Sequence, residues 1–139
     1  MKIIARDEKN NILRFDRGEE VMQGVREFCI SEGIAAGYFF VIGAAEKATV
    51  SFYNLYTKEY QDTILEGPLE ITGVTGNVAK KENEIVFHAH GMFSDAYLNV
   101  KGGHIKEIIV SATCEVVFTV LNVTIGRSYD KITGLNLMS

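Results

Sequence analysis

The sequence predicts an α+β chain, a curved mixed or antiparallel β-sheet with one main covering helix, and three observations carry that reading. Only residues 19–32 place apolar side chains at helical spacing over a useful length. Roughly seven other stretches alternate, or run apolar over strand lengths, between turn signals. Neither GxxxxGK[ST] nor GxGxxG occurs, so a nucleotide-binding α/β fold has no support.

In chain order, Lys2–Arg6 and residues 12–15 are short alternating segments around Asp7-Glu8-Lys9-Asn10-Asn11, a polar run that reads as a hairpin turn. Arg17-Gly18-Glu19-Glu20 opens the helix with acids in its first turn, where the helix dipole favours them. Val21, Met22, Val25, Phe28 and Cys29 form the stripe that packs on the sheet, and Gly33 stops the helix. Residues 34–43, IAAGYFFVIG, are apolar throughout, too short for a long buried helix and rich in β-formers, which predicts a central strand. Residues 47–53 form the next strand, 54–59 a loop, and 60–65 the returning strand. Gly67-Pro68, with the only proline, marks a turn. Residues 69–79 are a strand in which Gly73 and Gly76 signal a bulge or a close backbone approach, and 80–83 turn again. Residues 85–93, IVFHAHGMF, alternate, residues 107–121 make a long strand, and the tail from Gly126 is polar with a short apolar end.

At 139 residues and 47% hydrophobic content the chain can bury a real core, and residues 1–139 read as one domain. The longest apolar runs, residues 34–45 and 116–120, fall short of the ~18–20 residues that span a bilayer. Met1-Lys2-Ile3-Ile4 leads into no secretory segment, so the expected protein is soluble and cytoplasmic, with no membrane partner. Cys29 and Cys114 have neither metal spacing nor disulfide density and read as small buried residues. A net charge of −4 argues against holding nucleic acid by bulk electrostatics, although Lys101, Lys106 and the Lys80-Lys81 pair can make a local patch.

The chemistry concentrates in residues 86–105, which hold all three histidines, His88, His90 and His104. On a strand, i and i+2 share a face roughly 6–7 Å apart, a gap that two imidazoles can close onto one ion. His104 follows a loop ending in Gly102-Gly103, whose freedom at φ and lack of Cβ can fold it back over the first two. Three neutral imidazoles with a fourth position left to water is the arrangement of an open zinc site. The same spacing also fits an ordinary strand with His88 and His90 at its polar, solvent-facing positions. Glu115 interrupts the strand over 107–121 and is either on a solvent face or near a cation.

Arg17-Gly18-Glu19-Glu20, the run from Gly37 to Gly43 into Ala44-Ala45, Glu70-Ile71-Thr72-Gly73-Val74-Thr75-Gly76-Asn77, His88-Ala89-His90 and Gly102-Gly103-His104 together resemble the plant and prokaryote conserved (PPC) domain across roughly the whole chain. The resemblance implies a curved antiparallel sheet assembled as a homotrimer. It also implies a DNA-binding, transcription-associated role, which in plants accompanies AT-hook segments. This chain has no Arg-Gly-Arg-Pro core, so any DNA contact would lie in the domain itself, and binding should be weak. The family's fold is similar to that of acetolactate decarboxylase, a metal-dependent lyase with histidine ligands. That similarity implies a divalent ion, expected to be zinc, on His88, His90 and His104. It also makes Glu70 and Glu115 candidate acid–base groups and Arg127 a candidate holder of a carboxylate substrate. Three functions therefore fit the sequence: an oligomeric transcription-associated module with a metal near a subunit boundary, a metal-dependent lyase or hydrolase for a small carboxylate-containing substrate, and direct DNA binding.

Overall fold

The computed structural model describes residues 1–139. Its elements are β1 (Lys2–Arg6), β2 (Asn10–Asp16), α1 (Val21–Ser31), β3 (Gly37–Asn54), β4 (Glu59–Lys81), β5 (Glu84–Ser94), β6 (Val100–Val120), β7 (Arg127–Tyr129) and β8 (Asn136–Met138). The α+β expectation with one helix holds. Every strand ladder is antiparallel. The main sheet runs β1-β2-β6-β3-β4-β5, and β5 pairs again with β6. The sheet therefore closes through β6, β3, β4 and β5, which gives the expected curvature a specific form.

The strands are longer than the turn signals suggest. Residues 34–43 and 47–53, expected as separate strands, are joined in β3, and residues 60–65 and 69–79 are joined in β4. The register between β3 and β4 shifts between Val41 and Gly43 and again between Ala45 and Lys47, and such bulges bend a strand without ending it. Gly67-Pro68 is accordingly not a turn. It lies inside β4 where the ladder steps from Lys47↔Glu66 to Ala45↔Leu69, and a proline is tolerated where no ladder N–H is required. Gly102-Gly103 likewise sits within β6 and not in a loop, and neither glycine has positive φ.

The predicted stripe of α1, Val21, Met22, Val25, Phe28 and Cys29, is buried. Phe28 meets Phe118 of β6 edge-on at 5.6 Å, and Phe118 stacks on Phe39 of β3 at 6.2 Å. Helix and sheet are thus locked through aromatic rings. Gly33 ends the helix with φ of +66°, a conformation open to glycine. Cys29 and Cys114 are buried as expected, and burial pushes both thiols up to about 12, far from the thiolate form. No helix is long and apolar enough to cross a membrane.

The start of α1 differs from the expectation of acids in the first turn. The first turn holds none, because Glu20 is the N-cap. Its carboxylate accepts from the backbone N–H of Met22 at 3.0 Å and from that of Gln23, donors that a helix start leaves unpaired. It also accepts from the N–H of Ile108 in β6 at 2.9 Å. One side chain therefore caps the helix and ties it to the strand that carries His104. Replacing Glu20 by Ala removes both functions and should lower stability by about 2–3 kcal/mol, with Glu20→Gln costing less, as read from urea unfolding followed by circular dichroism.

Candidate metal centre

The histidine cluster is assembled by strand register. His88 and His90 stand on β5 opposite Asn77 and Thr75 of β4. Those residues stand opposite Tyr38 and Phe40 of β3, which in turn face Thr119 and Val117 of β6. Directly opposed residues share a face, so the two histidines lie on the same outer surface as Tyr38 and Phe40. Sheet closure then brings in the third histidine, because His104 on β6 pairs with His90 on one side and with Ser51 of β3 on the other.

Closure needs backbones to approach where side chains would stand. A Cβ on Gly102 would collide with the Gly91 carbonyl oxygen, and one on Gly103 would come within 2.7 Å of the Ser51 carbonyl oxygen. The glycine pair does return His104 to the first two histidines, by close approach within a strand.

The three imidazoles offer nitrogen atoms that all lie within 4.8 Å of one another. Nε2 of His88 and Nε2 of His90 are 3.2 Å apart. Ligands of a tetrahedral zinc on 2.0–2.1 Å bonds stand about 3.3–3.4 Å apart, so this pair is at coordination spacing, with the His104 nitrogen within 4.8 Å of both. Nδ1 of His104 is buried without a hydrogen-bond partner, an orphan for which an ion is one resolution. The donor set is all imidazole with no carboxylate, which suits zinc and its neighbours better than calcium or magnesium. The residues present therefore fit a divalent ion of the zinc type.

Electrostatics favour ligand lone pairs. Burial, then the neighbouring His88 and His90, lowers the pKa of His104 to about 4. Burial, His90 and Arg127 lower that of His88. Both rings are thus neutral at neutral pH, the form that binds metal. Around His104 the sequence reading missed a polar group. Asp62 of β4 accepts from Ser51 Oγ at 2.7 Å and from Lys106 Nζ at 2.9 Å, and the Tyr60 ring lies 5.1 Å from His104. Only the long β3–β4 pairing, invisible as a local pattern, brings Asp62 to Ser51 and so beside His104.

The other expected site residues divide. Arg127 on β7 lines the same cavity as His88 and His104, a space of about 500 Å³ bounded on one side by the hairpin β7–β8. Glu70 is exposed on β4 opposite Ser94, four residues of β5 from His90, and is not gathered to the imidazoles. Glu115 is exposed on β6 beside Arg14 and Ile42, which agrees with its solvent-face reading. Eleven residues of strand separate it from His104, on the order of 30 Å or more.

In the metal-free folded protein, His104 should titrate near pH 4, not at the ordinary 6.5. Unfolded chains bind that proton at higher pH than folded ones, so this group makes stability fall as pH drops from about 6.5 towards 4 and leaves it unchanged above. Imidazole carbon-bound proton shifts followed against pH by NMR check the midpoint.

Several solved structures are similar to this chain. A candidate DNA-binding protein from Bacteroides thetaiotaomicron has 26% identity and a TM-score of 0.94, covering 97% of this chain and 94% of that one. A metal-containing protein from Archaeoglobus fulgidus has 32% identity and a TM-score of 0.84, covering 99% and 98%. Acetolactate decarboxylase from Bacillus subtilis subspecies spizizenii, at 15% identity and a TM-score of 0.58 over 84% of this chain and 54% of that one, shares the fold alone. Among curated proteins none matches. The model of the Plants and Prokaryotes Conserved (PCC) domain matches residues 4–122, which include α1, the H-x-H strand and the glycine pair with His104. The chain belongs to the Plants and Prokaryotes Conserved domain family.

Proposed function

We propose that this protein is a homotrimeric, metal-centred module of the transcription-associated kind, working in the cytoplasm, with one zinc ion held by His88, His90 and His104. The observation that carries this is the position of the cluster: three imidazoles within 4.8 Å of one another, two of them in register with an exposed apolar face. On that face Tyr38, Phe40, Ile42 and Val117 are exposed in neighbouring rows of β3 and β6. A contiguous apolar surface of this kind is an ordinary place for self-association, and it puts the ion near a subunit boundary. Bound there, zinc would supply charge and Lewis acidity to whatever approaches it. The chain's own residues keep His88 and His104 neutral and leave one side of the cluster open to the cavity.

Nucleic-acid contact in this reading is weak and collective. The name carried by the Bacteroides thetaiotaomicron relative supports a link to DNA, and the A. fulgidus relative's name supports a metal. Yet the chain has a net charge of −4, and affinity for a duplex rests largely on neutralised phosphates. The cavity beside the histidines favours a second reading, in which the same ion serves a lyase or hydrolase acting on a small carboxylate-containing substrate. Glu70 and Glu115 stand away from the cluster, and Asp62, beside His104, is held by Lys106 and Ser51.

Zinc added to metal-stripped protein should bind at one ion per chain, and His88→Ala should abolish uptake; unchanged stoichiometry in that variant removes the cluster from the account. Light scattering should give a particle of three 15.4 kDa chains, and a monomer mass refutes the assembly. Titration with random duplex at physiological salt should give affinity no better than ~10⁻⁴–10⁻⁶ M, whereas nanomolar, sequence-dependent binding that is lost in Lys101→Glu would move direct DNA recognition to first place.

A further inference from the structure

The cavity walled by β7–β8 has a charge pattern unlike the chain as a whole. Lys58, Lys81 and Arg127 line it, and no Asp or Glu does, in a protein of net charge −4. None of the three has a carboxylate at ion-pair distance. Lys58 gives its ammonium to the Lys131 carbonyl at 2.7 Å, a neutral acceptor that ties it to the hairpin and leaves its charge beside those of Arg127 and Lys81.

Arg127 is held as a recognition group would be. Its Nη1 donates to the Asn136 carbonyl at 2.9 Å and its Nη2 to Asn77 Oδ1 at 2.7 Å. Both acceptors are neutral, so they fix the guanidinium without cancelling its charge. Nε is buried and has no acceptor at all. A guanidinium has five N–H donors in a planar fork, and with two of them taken here three remain for an anion. Tyr60, Phe87, Leu135 and Leu137 supply an apolar lining, and about 500 Å³ is the size of a small-molecule site. The hairpin is latched over this space by the Tyr53 hydroxyl, which donates to the Thr133 carbonyl at 2.8 Å. Residues 127–138 lie beyond the stretch that the family model matches.

Deepening the second reading above, on whose small carboxylate-containing substrate it rests, we propose that this cavity binds an organic carboxylate with an apolar body, its charge on Arg127 and Lys81 and its body against the aromatic and leucine side chains. The site is built from β4, β5 and the C-terminal hairpin, and it stands whether or not an ion occupies the histidines. His88 and His104 line the same cavity, so an ion there would share the ligand's surroundings.

The test titrates the full chain, stripped of metal, with 4-phenylbutyrate and separately with its neutral amide and with inorganic phosphate, following backbone amide resonances by NMR. The expected result is saturable binding of the carboxylate with shifts at residues 127–138 and at Asn77, and at least about tenfold weaker binding of the amide and of phosphate. Arg127→Gln should lose at least about tenfold in affinity for the carboxylate, while Lys9→Gln, a surface control, should bind as wild type. Equal affinity for acid and amide, phosphate binding as well as the carboxylate, or a folded Arg127→Gln protein with wild-type affinity would overturn the proposal. Should Arg127→Gln not fold, Lys81→Gln reads the same charge, a loss of affinity supporting the site and no change overturning it. Because the protein is metal-free throughout, failure of zinc binding and failure of carboxylate binding are separate results.

Discussion

The structure depends on the second use of β6. Along residues 104–120 this strand pairs with β3, and along residues 100–104 it pairs with β5, so that His104 has both Ser51 and His90 as neighbours. The closing contact sets Gly102 and Gly103 against the backbone of Gly91 and Ser51, where a Cβ on either glycine of the pair would force the strands apart. A larger residue at Gly102 would do more than loosen packing. It would open the seam at which the three imidazoles meet, and the rest of the site would have nothing to converge on. Glu20 braces the same strand from the helix side through the Ile108 N–H, so helix start, seam and histidines form one mechanical unit.

Closure also explains why the cluster faces two different environments. Toward one side run the rows of Tyr38, Phe40, Thr75 and Asn77, an outer face on which the two aromatic rings are exposed. Toward the other lies the cavity under β7–β8, with Arg127 fixed by Asn77 and Asn136. Asn77 links the two, because it pairs with His88 in the ladder and accepts from Arg127 with its side chain.

Much of this was legible in the sequence, for identifiable reasons. The helix stripe and the single-helix α+β class follow from periodicity, which the core obeys. The H-x-H pair and the returning His104 were visible because strand alternation is a local rule. What was not legible depends on pairing over long separations. Gly67-Pro68 looks like a turn until the bulge in β3 opposite it is known, and Gly102-Gly103 looks like a loop until Gly91 and Ser51 are seen against it. Glu70 and Glu115 entered as candidates through resemblance and by being acids in strands, and neither is brought to the histidines. Asp62 carried no local signal, since its place beside His104 arises only from the β3–β4 register. Arg127, raised as a holder of a carboxylate substrate, lines one cavity with His88 and His104, although the two-strand hairpin that positions it reads in sequence only as a polar tail.

The central claim is that three imidazoles from the closed seam hold a zinc ion. X-ray absorption at the zinc edge, on protein purified without chelator or nickel resin, addresses it most directly. The account predicts a nearest shell of nitrogen and oxygen at about 2.0–2.1 Å with the outer scattering of three imidazole rings. A shell containing sulfur at about 2.3 Å, fewer than two imidazoles, or the absence of a zinc edge would contradict it.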